Sequence, residues 1–233
     1  MIARLAAITA AETANGDVAL ADSEPLNGRV YAKLRAELMT GTFEPGEIVS
    51  IRSLAERLGT STMPVREALN RLIADRALEA RANRTIAVPV ITRAGYVAVC
   101  EVRQALEGLA AARAAGRLEP ATIDRLEAFT RAMADAAAAN EPHRYLGYNT
   151  EFHLTIYRAA DNPVLLDMIE KLWVRAGPLM NYLFRTVELA TRSVTPHEAV
   201  IAALRRADGE AARAAIQNDI GDAAPGIIES LPA

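Results

Sequence analysis

The sequence is poor in cysteine, in aromatic residues and in long apolar runs. Cys100 is the single cysteine among 233 residues, so no disulfide framework can form within the chain, and we expect a protein of the reducing cytoplasm. No apolar run approaches the roughly 20 residues that a membrane-spanning helix needs. Glu12, Asp17 and Asp22 make the opening segment a poor secretory signal. Aromatic residues are only 5% of the total and alanine is abundant, which favours a helical globular protein without membrane contact.

The net charge of −3 gives no overall attraction to nucleic acid, but the charge is distributed unevenly. Residues 27–92 contain 10 Lys or Arg and 7 Asp or Glu, a balance of +3. Residues 1–26 and residues 93–233 each have a balance of −3. A positive segment inside an acidic chain favours local contact with DNA phosphates, although a charge of this size does not establish it alone.

Turn-forming residues divide the chain into three segments. Residues 1–26 lack helical periodicity, and we predict a poorly ordered arm there. Residues 27–92 predict a winged helix-turn-helix of three helices and a small β-hairpin. Residues 93–233 predict an all-α antiparallel six-helix bundle, so the fold class is mostly α. The predicted bundle helices span residues 93–116, 121–138, 142–159, 163–187, 194–206 and 209–229.

Apolar stripes and capping residues define the three helices of residues 27–92. Val30, Leu34 and Leu38 recur every fourth residue and form one face of a first helix. Ser50 and Ser61 are suited to cap a second and a third helix, because a serine oxygen accepts a bond from the first turn. Two short helices in this order predict a helix-turn-helix motif.

The exposed face of the third helix is the predicted DNA-binding surface. With its apolar stripe facing the core, Thr62, Met63, Arg66 and Asn70 face outward. Arg66 suits phosphate oxygens or a guanine edge, and Asn70 suits adenine. The hairpin that follows would place its tip, Asn83 and Arg84, in the adjacent minor groove as a wing. The alternative is that these charged residues form an ordinary solvated face.

The order and spacing of these motifs resemble the GntR family of bacterial regulators. The matching strings are residues 30–35, 41–46, 54–59, 64–69, 71–72 and 83–84. The resemblance implies that DNA is contacted by Arg52, Ser61, Thr62, Met63, Arg66 and the wing tip, and we add Arg35 from the first string. The family usually has arginine at the position of Thr62. We therefore expect a lost phosphate contact or an altered operator preference.

Two of the three histidines lie on predicted bundle helices where they are able to share a cation. His153 follows Asn149 by four residues, so both project from one helix face. His197 lies at the start of the fifth bundle helix, and Asp219 lies on an inward stripe of the last. Side chains of these types from three helices are suitable ligands for one cation. Spacing alone, however, favours two core histidines without a ligand.

The C-terminal segment resembles the FCD subgroup of the GntR family in residues 101–107, 152–157, 160–163 and 197–204. In that subgroup an aspartate and three histidines commonly hold a divalent metal, and an acidic effector binds beside it. By position, Asn149 replaces the aspartate and Asp219 replaces the last histidine, whereas His153 and His197 are retained. The resemblance therefore implies a divalent metal, with Zn²⁺ as the first choice and Ni²⁺ or Mn²⁺ as alternatives.

Arg103 matches the arginine that faces the effector in the FCD subgroup. A guanidinium grips a carboxylate through two parallel hydrogen bonds. The alternative is a salt bridge between Arg103 and Glu107. A metal and an arginine together favour an anion, so the expected effector is a small carboxylate-bearing metabolite.

These patterns predict a metabolite-responsive transcriptional regulator that binds double-stranded operator DNA as a homodimer. Repression is the expected direction by analogy with the family. The second hypothesis is a metal-dependent hydrolase or lyase acting on a small organic acid. Against an enzyme, no carboxylate is placed as an obvious general base, and no Ser/His or Cys/His nucleophile pattern stands out.

Overall fold

The computed structural model describes residues 25–82, 85–185 and 195–232 and confirms a mostly helical fold with a winged helix-turn-helix and a helical bundle. The N-terminal domain comprises α1 (Leu26–Met39), β1 (Ile48–Val49), α2 (Ile51–Arg57), α3 (Thr62–Ala74), β2 (Glu79–Ala80) and β3 (Ile86–Ala87). The bundle comprises α4 (Arg93–Ala114), α5 (Pro120–Ala138), α6 (Pro142–Arg158), α7 (Pro163–Ala176), a 3-10 helix (Gly177–Arg185), α8 (Thr195–Arg205) and α9 (Gly209–Ile228). The predicted arm falls almost wholly outside the described residues.

The predicted hairpin is part of a three-stranded antiparallel sheet with the order β1-β3-β2. The additional strand, β1, pairs Ile48 with Ala87 and Val49 with Ile86. Sequence periodicity misses it because two residues are too few to display an alternation. Because β1 pairs with β3 and is followed directly by Ser50, the N-cap of α2, it connects the start of α2 to the wing.

The two serines predicted as caps occupy the N-cap positions of α2 and α3. Ser50 Oγ accepts a hydrogen bond from the Ser53 amide at 3.3 Å. The Ser61 side chain makes no capping bond and is exposed at the beginning of α3. Pro64 is the third residue of α3, where a missing amide hydrogen breaks no intrahelical bond. The buried residues of α3 are Pro64, Val65, Ala68, Leu69 and Leu72, as the apolar stripe predicts.

The helix predicted over residues 163–187 is divided at Gly177, where α7 gives way to the 3-10 helix. A Cβ on Gly177 would overlap the Leu38 carbonyl oxygen and lie 2.8 Å from Met39 Cα. The bundle backbone therefore meets the end of α1 at a distance that only glycine permits. Pro178 follows and has no amide hydrogen to continue the regular helix.

Polar contacts complete this junction between α1 and the bundle. Arg35 Nη2 lies 2.6 Å from Glu170 Oε2 on α7. Asn181 Nδ2, on the 3-10 helix, donates a 2.7 Å hydrogen bond to the Gly41 carbonyl oxygen. The N-terminal domain is thus attached to the bundle through α7 and the 3-10 helix.

Side-chain caps fix the starts of α4, α7 and α9. Thr92 accepts from the Gly95 amide at 3.2 Å, and Asn162 accepts from the Leu165 amide at 3.1 Å. Asp208 accepts from the Ala211 amide at 3.0 Å. Where the chain is described, no helix combines the length and the apolar character needed to cross a membrane.

Candidate functional site

The predicted DNA-binding residues of α2 and α3 lie on the surface of the N-terminal domain. Exposed side chains at these positions are Arg52, Ser61, Thr62, Met63, Arg66 and Asn70. Met63 is 62% exposed, an unusual degree for a large apolar side chain. Within the described chain, neither Arg52 nor Arg66 forms an ion pair with an acidic residue. Both guanidinium groups are therefore free to meet an external anion.

Two other parts of the predicted DNA-binding set differ from this face. Asn83 and Arg84, the predicted wing tip, lie outside the described residues, between β2 and β3. Arg35 lies in the junction between α1 and the bundle, where its guanidinium forms an ion pair with Glu170 of the same chain. A DNA contact by Arg35 would compete with Glu170 for this guanidinium.

The predicted ligands from α6, α8 and α9 come together in the bundle interior. His153 Nε2 lies 3.3 Å from His197 Nε2 and 3.3 Å from Asp219 Oδ2. His197 Nε2 lies 3.5 Å from Asp219 Oδ1. The two imidazoles are almost completely buried, and the Asp219 side chain is 12% exposed. Asn149, one turn before His153, is buried, and Asn149, His153 and Asp219 line one small cavity that is described below.

These separations fit the coordination of a small divalent metal. Zn–N and Zn–O bonds of about 2.0–2.1 Å in a tetrahedron place neighbouring ligand atoms about 3.3 Å apart. The ligand atoms of His153, His197 and Asp219 all lie within 4.8 Å of one another. Two nitrogen donors and one oxygen donor leave a fourth position for Asn149, water or a ligand.

Burial decides the charge state of these groups. It lowers the pKa of His197 to about 3 and, together with His197 and Arg103, lowers the pKa of His153 well below its ordinary value. Both imidazoles are therefore neutral, which is the form that binds a metal. Burial raises the pKa of Asp219 to about 7, although nearby Arg103 opposes that shift.

A chain of buried hydrogen bonds runs from His153 to Arg103. His153 Nδ1 lies 3.0 Å from the Tyr157 hydroxyl, which donates a 2.6 Å hydrogen bond to Glu107 Oε2. Arg103 Nε donates to Glu107 Oε1 at 2.7 Å, so the salt bridge considered from sequence is formed. Sequence analysis missed Tyr157. The four-residue spacing that relates Asn149 to His153 also relates His153 to Tyr157 and is the signal that identifies it.

A small cavity adjoins the cluster. Its volume is about 20 Å³, which is room for about one water molecule or ion. Its lining residues are Tyr96, Arg103, Tyr145, Asn149, His153, Met180, Leu183, Asp219, Ile220 and Ala223. Met180 and Leu183 belong to the 3-10 helix, so the helix that contacts α1 also forms one wall of this cavity.

Comparison with known proteins gives a consistent assignment for both halves of the chain. Residues 26–88 match the bacterial regulatory proteins of the gntR family, and residues 98–222 match the FCD domain. The HTH-type transcriptional regulator McbR of Escherichia coli K12 is 32% identical over 79% of this chain and 85% of its own length. The HTH-type transcriptional repressor RspR of the same organism is 25% identical over 83% of this chain and 85% of its own.

A solved structure of Escherichia coli McbR has the same architecture. It superposes with a TM-score of 0.83 at 28% identity, covering 89% of this chain and 99% of McbR. The relatives are transcriptional regulators, and none of these comparisons supports the hydrolase or lyase hypothesis. The chain therefore belongs to the GntR family of bacterial regulatory proteins, with an FCD domain, and is a DNA-binding transcriptional regulator rather than an enzyme.

Proposed function

We propose that this regulator binds a small carboxylate-bearing metabolite beside a divalent metal in its bundle and thereby changes its affinity for an operator. The observation that carries the proposal is the convergence of His153, His197 and Asp219 on one buried point. We expect this protein to be a repressor that releases DNA when the effector binds, because a repressor is among the relatives. A protein acting on chromosomal DNA would work in the bacterial cytoplasm.

The DNA-binding half of the proposal rests on the exposed face of α3. Arg66 and Asn70 would meet base edges or phosphates in the major groove, and Ser61, Thr62 and Met63 would lie beside them at the helix beginning. Arg52 would contact the backbone from α2. The remaining members of the proposed contact set are the wing tip, Asn83 and Arg84, and Arg35.

Zn²⁺ is the metal that these ligands fit best, with Ni²⁺ or Mn²⁺ as alternatives. His153 and His197 would hold it through Nε2 and Asp219 through a carboxylate oxygen, with Asn149 beside them. A bound divalent ion would supply a positive template for the effector rather than a catalyst. Arg103 and Glu107 cancel each other in charge, so the ion and Asp219 would leave one positive charge. An anionic effector would neutralise it.

Arg103 would take part in binding this anion. A guanidinium has five N–H donors, and the Glu107 pair uses only some of them. Arg103 lines the cavity together with His153 and Asp219, so a carboxylate beside the metal would be within its reach. The cavity holds no more than about one water, so a metabolite would have to enlarge it.

Enlargement of the cavity would couple effector binding in the bundle to the affinity for DNA. Met180 and Leu183 line it from the 3-10 helix, and Asn181 between them bonds to Gly41 at the end of α1. A ligand that displaces this helix would change how α1, and with it α3, is held. The effector must prefer the displaced arrangement for the coupling to operate.

The proposed homodimer would pair two copies through α4 and α7. Nine large hydrophobic side chains are exposed in the described chain, and five of them lie on these two mutually packed helices. They are Val97, Val102, Leu109, Val164 and Met168. A second copy that covers some of these side chains about a two-fold axis would present paired α3 helices to a two-fold operator.

Elemental analysis of the purified, tag-free protein tests the central claim. We expect about one metal per chain, lost in His153→Ala, because a site deprived of one of its two imidazoles binds a metal much more weakly. His143→Ala is the matched control, since His143 is exposed on the same helix. A wild-type protein that contains no metal and takes up none from Zn²⁺ solution would refute the metal site.

A further inference from the structure

We infer that Tyr157 and Glu107 are positioning residues that hold His153 in the tautomer whose Nε2 is free to bind a metal. This inference rests on the proposed metal site, but its central claim concerns the metal-free protein as well. Neither residue touches the point on which the three ligands converge. Both act through the far side of the His153 ring.

The direction of each hydrogen bond follows from the number of protons available. The Tyr157 hydroxyl has one proton and lies 2.6 Å from Glu107 Oε2 and 3.0 Å from His153 Nδ1. A carboxylate only accepts, so this proton is donated to Glu107. The Arg103 guanidinium, 2.7 Å from the other oxygen, stabilises the carboxylate charge on Glu107. The Tyr157 oxygen is left as an acceptor for His153.

The nearer of two acceptors beside the His153 ring determines which nitrogen carries the imidazole proton, because the Tyr157 oxygen lies 3.0 Å from Nδ1 whereas Asp219 Oδ2 lies 3.3 Å from Nε2. A neutral imidazole has one N–H, and here it is Nδ1–H, which donates to Tyr157. Nε2 then keeps its lone pair, and this is the atom that lies 3.3 Å from both His197 and Asp219. The opposite tautomer would place a proton at the metal position and leave Nδ1 without its donated bond.

The burial of this chain of groups makes the preference strong. Glu107 has no solvent exposure, Tyr157 is 1% exposed and His153 is 2% exposed, so water is not able to substitute for a missing partner. A buried donor without an acceptor is costly, and outer partners of metal-bound histidines orient the ring and raise its basicity. Tyr157 therefore contributes to metal affinity without being a ligand.

The test uses Tyr157→Phe, which keeps the packed ring and removes only the hydroxyl. Two-bond ¹H–¹⁵N NMR of histidine-labelled, metal-free protein at mildly alkaline pH reports the tautomer of each imidazole. His143→Ala removes one of the three histidine patterns and assists assignment. We expect the Nδ1–H pattern for His153 in the wild type and a substantial Nε2–H population in the variant. Chelator competition with Zn²⁺ alone should show about 10–100-fold weaker binding.

Two further variants separate this role from general packing. Tyr96→Phe removes another buried cavity hydroxyl, one that bonds with Cys100 rather than a histidine, and should change neither readout. Glu107→Gln replaces the charged acceptor by a neutral one and should raise the Nε2–H population of His153. It keeps the test decisive if Tyr157→Phe does not fold.

Several results would overturn the inference. These are an Nε2–H pattern for His153 in the wild type, an unchanged tautomer in both Tyr157→Phe and Glu107→Gln, or unchanged Zn²⁺ affinity in a folded Tyr157→Phe. A wild-type protein that binds no Zn²⁺ would refute the proposed metal site instead. The NMR measurement on the metal-free protein would still decide whether Tyr157 sets the tautomer.

Discussion

The DNA-binding face and the buried cluster are built in opposite ways. Arg66 and its neighbours lie on consecutive turns of one helix and are exposed, so the position of each side chain follows from α3 alone. His153, His197 and Asp219 come from three helices, are distant in sequence and are buried. A surface site of the first kind depends on local periodicity, whereas a site of the second kind depends on how the whole bundle packs.

The difference also predicts how each region responds to substitution. An exposed side chain without an internal partner contributes little to the free energy of unfolding. A buried polar side chain is held by partners that become unsatisfied when it is removed, so function and stability change together. The α3 face should therefore lose DNA affinity without loss of stability, and the bundle site and domain junction should not show this separation.

Arg66→Ala should produce the largest of the effects expected in DNA binding and stability. We expect operator affinity to fall by about 5–150-fold if the contact is to a base, because a good arginine–base contact contributes roughly 1–3 kcal/mol. The slope of log affinity against log salt should become shallower by about one if the contact is to phosphate. Fluorescence anisotropy with a duplex selected by the protein measures both, and the thermal unfolding midpoint should stay the same.

Thr62→Arg gives the opposite change at the same face. Arginine at this position restores the residue usual in the family and should strengthen binding with a steeper salt dependence. If Arg66→Ala leaves operator affinity unaltered, or lowers the unfolding midpoint as well, α3 is not the simple exposed surface that we describe.

The sequence predicts the helical elements well because their ends carry strong local signals. The helix predicted at residues 142–159 is observed as Pro142–Arg158, and that at 209–229 as Gly209–Ile228. Proline at the first position and an Asp or Asn cap fix such boundaries independently of the rest of the fold. Convergence of the proposed ligands required the family resemblance, because spacing alone favoured two ordinary core histidines.

The features that sequence analysis missed all depend on contacts between distant segments. The break at Gly177 results from the approach of α1 to the bundle, and the ion pair of Arg35 with Glu170 belongs to the same junction. Tyr157 acquires its role only because Glu107 on another helix accepts its proton. No local pattern distinguishes Gly177 or Arg35 from an ordinary glycine or arginine in a helix. The four-residue spacing places Tyr157 beside His153, but it does not reveal the partner on another helix.

Gly177→Ala tests whether the junction between the two regions is packed as tightly as a protein core. The added Cβ meets the α1 backbone, which is unable to rotate away, so we expect a loss of about 1–3 kcal/mol in the free energy of unfolding. Gly147→Ala is the matched control. Its Cβ would meet nothing within 4 Å, and alanine within a helix should stabilise the protein by up to about 1 kcal/mol.

Urea denaturation of the two glycine variants measures these changes from the transition midpoints at constant slope. Equal stability of the two variants would mean that α1 and the 3-10 helix separate at little cost. The junction would then be a loose contact, and the bundle would have no firm connection through which to influence α3.

Asn181→Ala should have the smallest effect and bears most directly on communication between the two regions. The substitution removes the 2.7 Å hydrogen bond to Gly41 and longer contacts with the Phe43 and Pro178 carbonyl oxygens, but it leaves the close packing at Gly177. One hydrogen bond contributes about 1 kcal/mol, so amide hydrogen exchange at the end of α1 should accelerate about fivefold. Mass spectrometry of exchanged peptides measures this, and Asn218→Ala, at an exposed position of α9, is the control.

The same Asn181 variant also distinguishes two ways of holding α1. If exchange at its end matches that of Asn218→Ala, the packing at Gly177 and the Arg35–Glu170 pair hold the domain without Asn181. If exchange accelerates only in Asn181→Ala, then the residue between the two cavity-lining side chains, Met180 and Leu183, helps to fix the DNA-binding domain. A ligand that moves that helix would then alter α3 through a defined hydrogen bond.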